Sequence, residues 1–206
     1  MGTINQGILG GFSGKVGPVV GCKGKNGNYI RAHAAKVSNP RTEKQQKQRE
    51  KFTLAFSFLK PITPFIRIGY KSCTEGKSTF NAAVSYMLRK AITGSGAQLA
   101  IDYKRVLVSM GTLMPVFSGN AAAEDNQMIF RWEDNSGTGN AEETDVAMLL
   151  VYNKTNGSAV YNTAATTRAD RQGILELPDE WDKDELIPYL SFQSAEGDSV
   201  SNSLCL

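Results

Sequence analysis

From residue 7 to residue 21 the chain reads GILGGFSGKVGPVVG, with Ile8, Leu9, Phe12, Val16, Val19 and Val20 set among glycines. This segment is too apolar for a flexible linker, and its glycines allow another strand to approach closely. A strand is expected over Val16–Cys22, a turn in Lys23-Gly24-Lys25-Asn26-Gly27 and a return strand over Asn28–Ala34, making a β-hairpin with an Asn-Gly turn signal. Two strands are marginal by themselves, so the hairpin needs a sheet, a helix or a neighbouring subunit to cover its face. Thr42 followed by Gln45 forms a capping-box pattern that opens a helix running to about Leu59. Its first half, EKQQKQREK, is polar throughout, whereas Phe52, Leu54, Ala55, Phe56, Phe58 and Leu59 require packing. Pro61 stops this helix, and a short one follows from Pro64 to Tyr70 with proline in its first turn. Ser78 or Thr79 caps a third, in which Phe80, Ala83, Val84, Met87, Leu88 and Ala91 recur at helical spacing.

After Gly94-Ser95-Gly96 the period changes from 3.6 to 2. Strands are expected over Gln98–Ser109, Gln127–Trp132, Val146–Asn153, Ser158–Tyr161, Gly173–Leu177, Ile187–Ser194 and Val200–Leu204, with Asn156-Gly157 as a type I′ turn signal. The expected fold class is α+β: a hairpin with helices over residues 1–96, then an immunoglobulin- or fibronectin-like β-sandwich over residues 97–206. Its core is expected to contain Phe130, Trp132, Met148, Leu150, Leu175, Tyr189 and Phe192.

Charge sharpens this division. The chain has 206 residues and a net charge of +3, but residues 1–105 hold 18 Lys and Arg against 4 Asp and Glu, while residues 106–206 hold 5 against 16. Such asymmetry points to nucleic acid or an acidic surface as partner of the basic part, or to attraction between copies. The contacts expected for phosphate or an acidic partner are Lys15, Lys23, Lys25, Arg31, Lys36, Arg41, Lys44, Lys47 and Arg49. The segment expected to support assembly contains Phe12, Val16, Val19, Val20, Tyr29 and Ile30. No apolar run reaches the ~18 residues of a membrane span. The N-terminus lacks the basic and apolar regions of a cleaved signal, and Gln6 breaks the myristoylation pattern, so a cytoplasmic or virion-associated chain is expected.

Candidate chemistry is sparse. Gly76-Lys77-Ser78 ends like a phosphate-binding loop, but Lys71 stands where the first glycine belongs, so a helix cap is the better reading. Cys22 and His33 fall on opposite strands of the expected hairpin and are able to approach, yet nucleophilic catalysis also needs an orienting group and an oxyanion site. Cys22, Cys73 and Cys205 form neither a zinc pattern nor a disulfide framework. The acidic run 179–185 reads as a solvated loop rather than a calcium site, and Glu142, Glu143 and Asp145 as a charged loop. The expectation is a non-enzymatic chain with no cofactor and no catalytic residue.

GGFSGKVGPVVG (residues 10–21), NYIRA (28–32), NPRTEKQQKQREKF (39–52) and YLSFQSAEGDSVSNSLCL (189–206) resemble an uncharacterised family common in Bacteroidetes, known as a domain of unknown function. Asn39, Pro40, Thr42, Gln45, Arg49 and Phe52 are also similar to a segment of short phage proteins associated with virion structure. The resemblance implies no activity, substrate or cofactor. The expected function is a structural subunit of a repeated assembly, virion-associated or otherwise, acting as a homo-oligomer or with partner proteins. A nucleic-acid-binding protein is the alternative, and a surface or adhesion module the third reading.

Overall fold

The computed structural model describes residues 3–4, 12–24, 27–36, 41–73 and 76–206. It contains two compact units, Met1–Thr42 and Glu43–Leu206. The first is an antiparallel sheet with strands in sequence order: β1 (Thr3–Ile4), β2 (Phe12–Val16), β3 (Val19–Gly24) and β4 (Gly27–Ala32). The expected hairpin is thus the β3–β4 half of a four-stranded meander. Val16 and Val19 pair across a turn at Gly17-Pro18, so the single strand expected over Val16–Cys22 is divided there.

The second unit opens with α1 (Glu43–Leu59), α2 (Thr63–Gly69) and α3 (Thr79–Lys90). Pro64 lies in the first turn of α2, and the Ser78 hydroxyl accepts a 3.2 Å bond from the Asn81 N–H at the start of α3. The short pair β5 (Ile92–Thr93) and β6 (Ala100–Ile101) follows. The remaining strands are β7 (Gly119–Glu124), β8 (Gln127–Trp132), β9 (Val146–Asn153), β10 (Ala159–Thr167), β11 (Gln172–Glu176), β12 (Leu186–Gln193) and β13 (Leu204–Cys205). They form two open antiparallel sheets, a four-stranded one in the order β10-β9-β12-β13 and a three-stranded one in the order β11-β8-β7. The fold class is α+β.

Alternation along β9 explains how the layers stack. Ala147, Leu149 and Val151 join Phe130, Trp132, Leu175, Leu190 and Phe192 in a core shared by the two sheets. Met148, Leu150 and Tyr152, together with Tyr189, turn the other way and pack with Phe58, Phe65, Ile66 and Met87 of the helices. A sheet buried on both faces needs apolar residues at successive positions, which is what VAMLLVYN supplies. All seven expected core residues are buried, but they serve two cores. The helices before residue 96 share one of these cores with strands after it. The expected boundary at Gly94–Gly96 therefore falls inside the second unit, and the division lies between Thr42 and Glu43.

Two strand expectations are corrected and one strand is added. Residues 98–109 form the short β6 and a 3-10 turn at Tyr103–Arg105 rather than one long strand, because their polar groups bond to other segments. The Leu107 carbonyl accepts from the Tyr70 hydroxyl at 2.8 Å, and the Val108 N–H donates to Ser203 Oγ at 2.9 Å. The unexpected β7 pairs with β8 through a turn at Asp125 and Asn126, both with positive φ, and its alanine-rich run carries little strand propensity. Instead of a strand over Val200–Leu204 there are isolated bridges from Val200 to Gln193 and from Ser201 to Leu113, and the two-residue β13. Among the described residues, no helix is long and apolar enough to cross a membrane.

Candidate assembly surface

Register divides the side chains of the N-terminal sheet between two faces. Val16 pairs with Val19, Val19 with Ala32, and Gly21 with Gly14 and Ile30. One face therefore carries Phe12, Val16, Val19, Ile30 and Ala32. Lys15 pairs with Val20, Val20 with Arg31 and Cys22 with Tyr29, so the other face carries Lys15, Val20, Cys22, Tyr29 and Arg31. The sheet is held together by backbone pairing and close approach more than by a core. A Cβ on Gly21 would lie 2.3 Å from the Phe12 carbonyl oxygen, so β2 and β3 meet closely only because this position is glycine. Gly21 is also the one fully buried residue described in this unit. Val16 is 43%, Tyr29 57% and Ile30 63% exposed. The apolar residues singled out from the sequence are thus gathered on one small sheet, Val20 and Tyr29 on the face opposite the other four, and among the described residues of this unit no second layer covers them.

The basic residues are divided. Lys15, Lys23, Arg31, Lys36 and Arg41 are exposed in the first unit, and Lys25 lies outside the described residues. Lys44, Lys47 and Arg49 lie on the first half of α1, where every residue from 43 to 50 is exposed. Lys47 forms an ion pair with Glu43 one turn earlier. The sequence-derived set thus belongs to two structural units.

The candidate nucleophile pair is not assembled. Cys22 stands opposite Tyr29, whereas the His33 N–H donates to the Pro18 carbonyl at 2.7 Å. His33 therefore lies four strand positions from the residue facing Cys22, a separation of about 13 Å at strand rise. Burial raises the thiols of Cys73 and Cys205 above the usual cysteine range, reducing their thiolate character. Among the described residues, no group of three His, Cys, Asp or Glu side chains is arranged to hold a metal.

Asp145, taken from the sequence as part of a charged loop, is instead buried against Arg168. The fully buried guanidinium donates through Nε to Asp145 Oδ2 at 3.0 Å, through Nη1 to Asn135 Oδ1 at 2.6 Å and through Nη2 to the Met114 carbonyl at 2.9 Å. Its central carbon sits 3.9 Å from the Phe192 ring centroid, and its own backbone carbonyl accepts from Trp132 Nε1 at 2.8 Å. Burial lowers the Arg168 pKa, and Asp145 opposes that shift. The cluster ties the segments before β7 and before β9 to the inter-sheet core. The sequence offered no sign of it beyond an ordinary Thr-Arg-Ala-Asp stretch.

Comparison with curated proteins and with solved structures finds no match. Residues 11–206 match the model of a family described as Family of unknown function (DUF6266), a span that includes both sheets of the second unit, its helices and β2–β4 of the first. By that match over nearly its whole length, the chain belongs to this family of unknown function.

Proposed function

We propose that this chain is a non-enzymatic building block of a repeated assembly, of the kind found in a virion, and that its N-terminal sheet is completed by a neighbouring copy. The observation carrying this reading is the exposure of Val16 and Ile30 on the apolar face of a sheet in which, among the described residues, Gly21 alone is buried. An unshielded sheet this small gains most of its stability from a second layer. The second unit is a fibronectin-type sandwich with helices added to one outer face. In support, its sheet orders β7-β8-β11 and β13-β12-β9-β10 follow the A-B-E and G-F-C-C′ arrangement of that class.

The test is the association state of the full chain by sedimentation equilibrium, compared with Val16→Thr and Ile30→Thr. The parent is expected to associate and the double variant to do so at least about tenfold more weakly, since both lost side chains contribute apolar contact. A monomeric parent at high concentration, or unchanged association in the variant, refutes the reading. A second reading, nucleic-acid binding, is favoured by six Lys and Arg and no Asp or Glu in residues 1–42. It predicts retention on DNA or RNA that falls linearly with log salt, and a chain that does not bind either polymer at low salt excludes it.

A further inference from the structure

We infer that a cleft at the open edge of the two-sheet core receives the basic, aromatic face of the N-terminal sheet from another copy of this chain. The inference rests on the assembly reading above and adds to it a second contact, made by the opposite face of the same sheet. Between β7 and the start of β12 lies a cleft of about 410 Å³, floored by Ala121, Met128, Trp181, Pro188 and Leu206. One feature leaves it open: the side chains of β7 at 121 and 123 are alanines, too small to fill the gap between sheets.

The rim is acidic. Glu124, Asp125, Asp182 and Asp184 line it, and Lys183 is the sole cation between Arg171 and the last residue of the chain. An apolar floor under an acidic rim selects a partner with an apolar or aromatic projection between cations. Such chemistry is present in this same chain: Tyr29, 57% exposed, shares a sheet face with the exposed Lys15 and Arg31. The first 42 residues supply no carboxylate to oppose the approach. The donor lies in one unit and the acceptor in the other. A contact between copies is therefore heterologous, giving rings or filaments according to whether the rotation closes. Opposite charge on the two surfaces would steer encounter and make it salt-sensitive.

A charge-exchange experiment tests this on the full chain. The acceptor variant carries Glu124→Lys and Asp182→Lys, both at exposed positions, and the donor variant carries Lys15→Glu and Arg31→Glu. Each alone is expected to associate at least about tenfold more weakly than the parent, because like charges then face each other. An equimolar mixture of the two is expected to regain association, since each reversed surface meets its complement on the other variant. Glu124→Gln with Asp182→Asn serves as a neutral acceptor variant of intermediate strength, and far-UV circular dichroism confirms folding of all three. Parent-like association by the acceptor variant, or a mixture that stays dissociated, overturns the acceptor assignment while leaving assembly through the apolar face standing. A parent chain that remains monomeric, including one that takes up a foreign basic peptide, overturns both.

Discussion

Replacing Arg168 with methionine removes a buried cation while keeping much of its side-chain length. The structure sets the cost. Asp145, 1% exposed, would retain the Glu142 N–H at 3.0 Å but lose its counter-charge, and Asn135 Oδ1 and the Met114 carbonyl would lose donors at 2.6 and 2.9 Å. Breaking a buried pair from one side costs about 3–5 kcal/mol, a large part of the ~5–15 kcal/mol that holds a domain folded. For a unit of this size that corresponds to a fall in Tm of about 6–20 °C. Urea unfolding followed by tryptophan emission reads it directly, since Trp132 and Trp181 both lie in the inter-sheet core and Trp132 donates to the Arg168 carbonyl. The second arm is Arg168→Met with Asp145→Asn, which removes the stranded charge and keeps an oxygen for the Glu142 N–H. It should recover a substantial fraction of the loss, because the expense lies in the uncompensated carboxylate rather than in the missing attraction. A single variant that loses less than about 1 kcal/mol, the scale of an exposed pair, would refute the argument. So would a double variant no more stable than the single.

Phe58→Ala should destabilise the second unit by about 3–5 kcal/mol in the same unfolding assay, because the buried ring packs with Tyr103, Tyr152 and Tyr189 at centroid distances of 5.9, 4.5 and 6.5 Å. Gly69→Ala should cost about 1–3 kcal/mol by calorimetry, since its Cβ would lie 2.6 Å from the Val108 carbonyl oxygen in a fully packed layer. Asp170 has its pKa held down at about 2 by hydrogen bonds from the Thr166 hydroxyl and from the hydroxyl and N–H of Thr167. A depressed carboxyl stabilises the fold above its unfolded value near ~3.9 and loses that contribution as pH falls toward the folded value. Asp170→Asn should therefore lower stability at neutral pH and flatten the acid limb of the stability curve below about pH 4, and parallel curves for parent and variant would contradict this.

Local patterning determined a great deal here. Ser78 before TFNAAVSYMLRK marked the start of α3, Pro64 marked α2, and the apolar runs in QMIFRW and VAMLLVYN identified β8 and β9. Those signals depend on residues within a few positions of one another, and the helix or strand they specify is the one that buries their apolar side chains. The apolar N-terminal segment and the charge division were also legible, since both are properties of composition. Tertiary structure decided which surfaces meet. Nothing local in VAMLLVYN says that Met148 faces helices while Leu149 faces a second sheet, and so the change of period at Gly94–Gly96 resembled a boundary between domains. Arg168 and Asp145 lie 23 residues apart on either side of β9 and β10, and their burial follows only from the way two sheets and three loops close around them. The Ala121–Trp181–Pro188 cleft has the same origin, because only the packing of two sheets brings residues of β7, β8 and β12 together around it. The N-terminal sheet shows the converse: its strands follow from local turns and register, but among the described residues of its unit none covers its apolar face, because side chains that fill no internal core specify no internal partner.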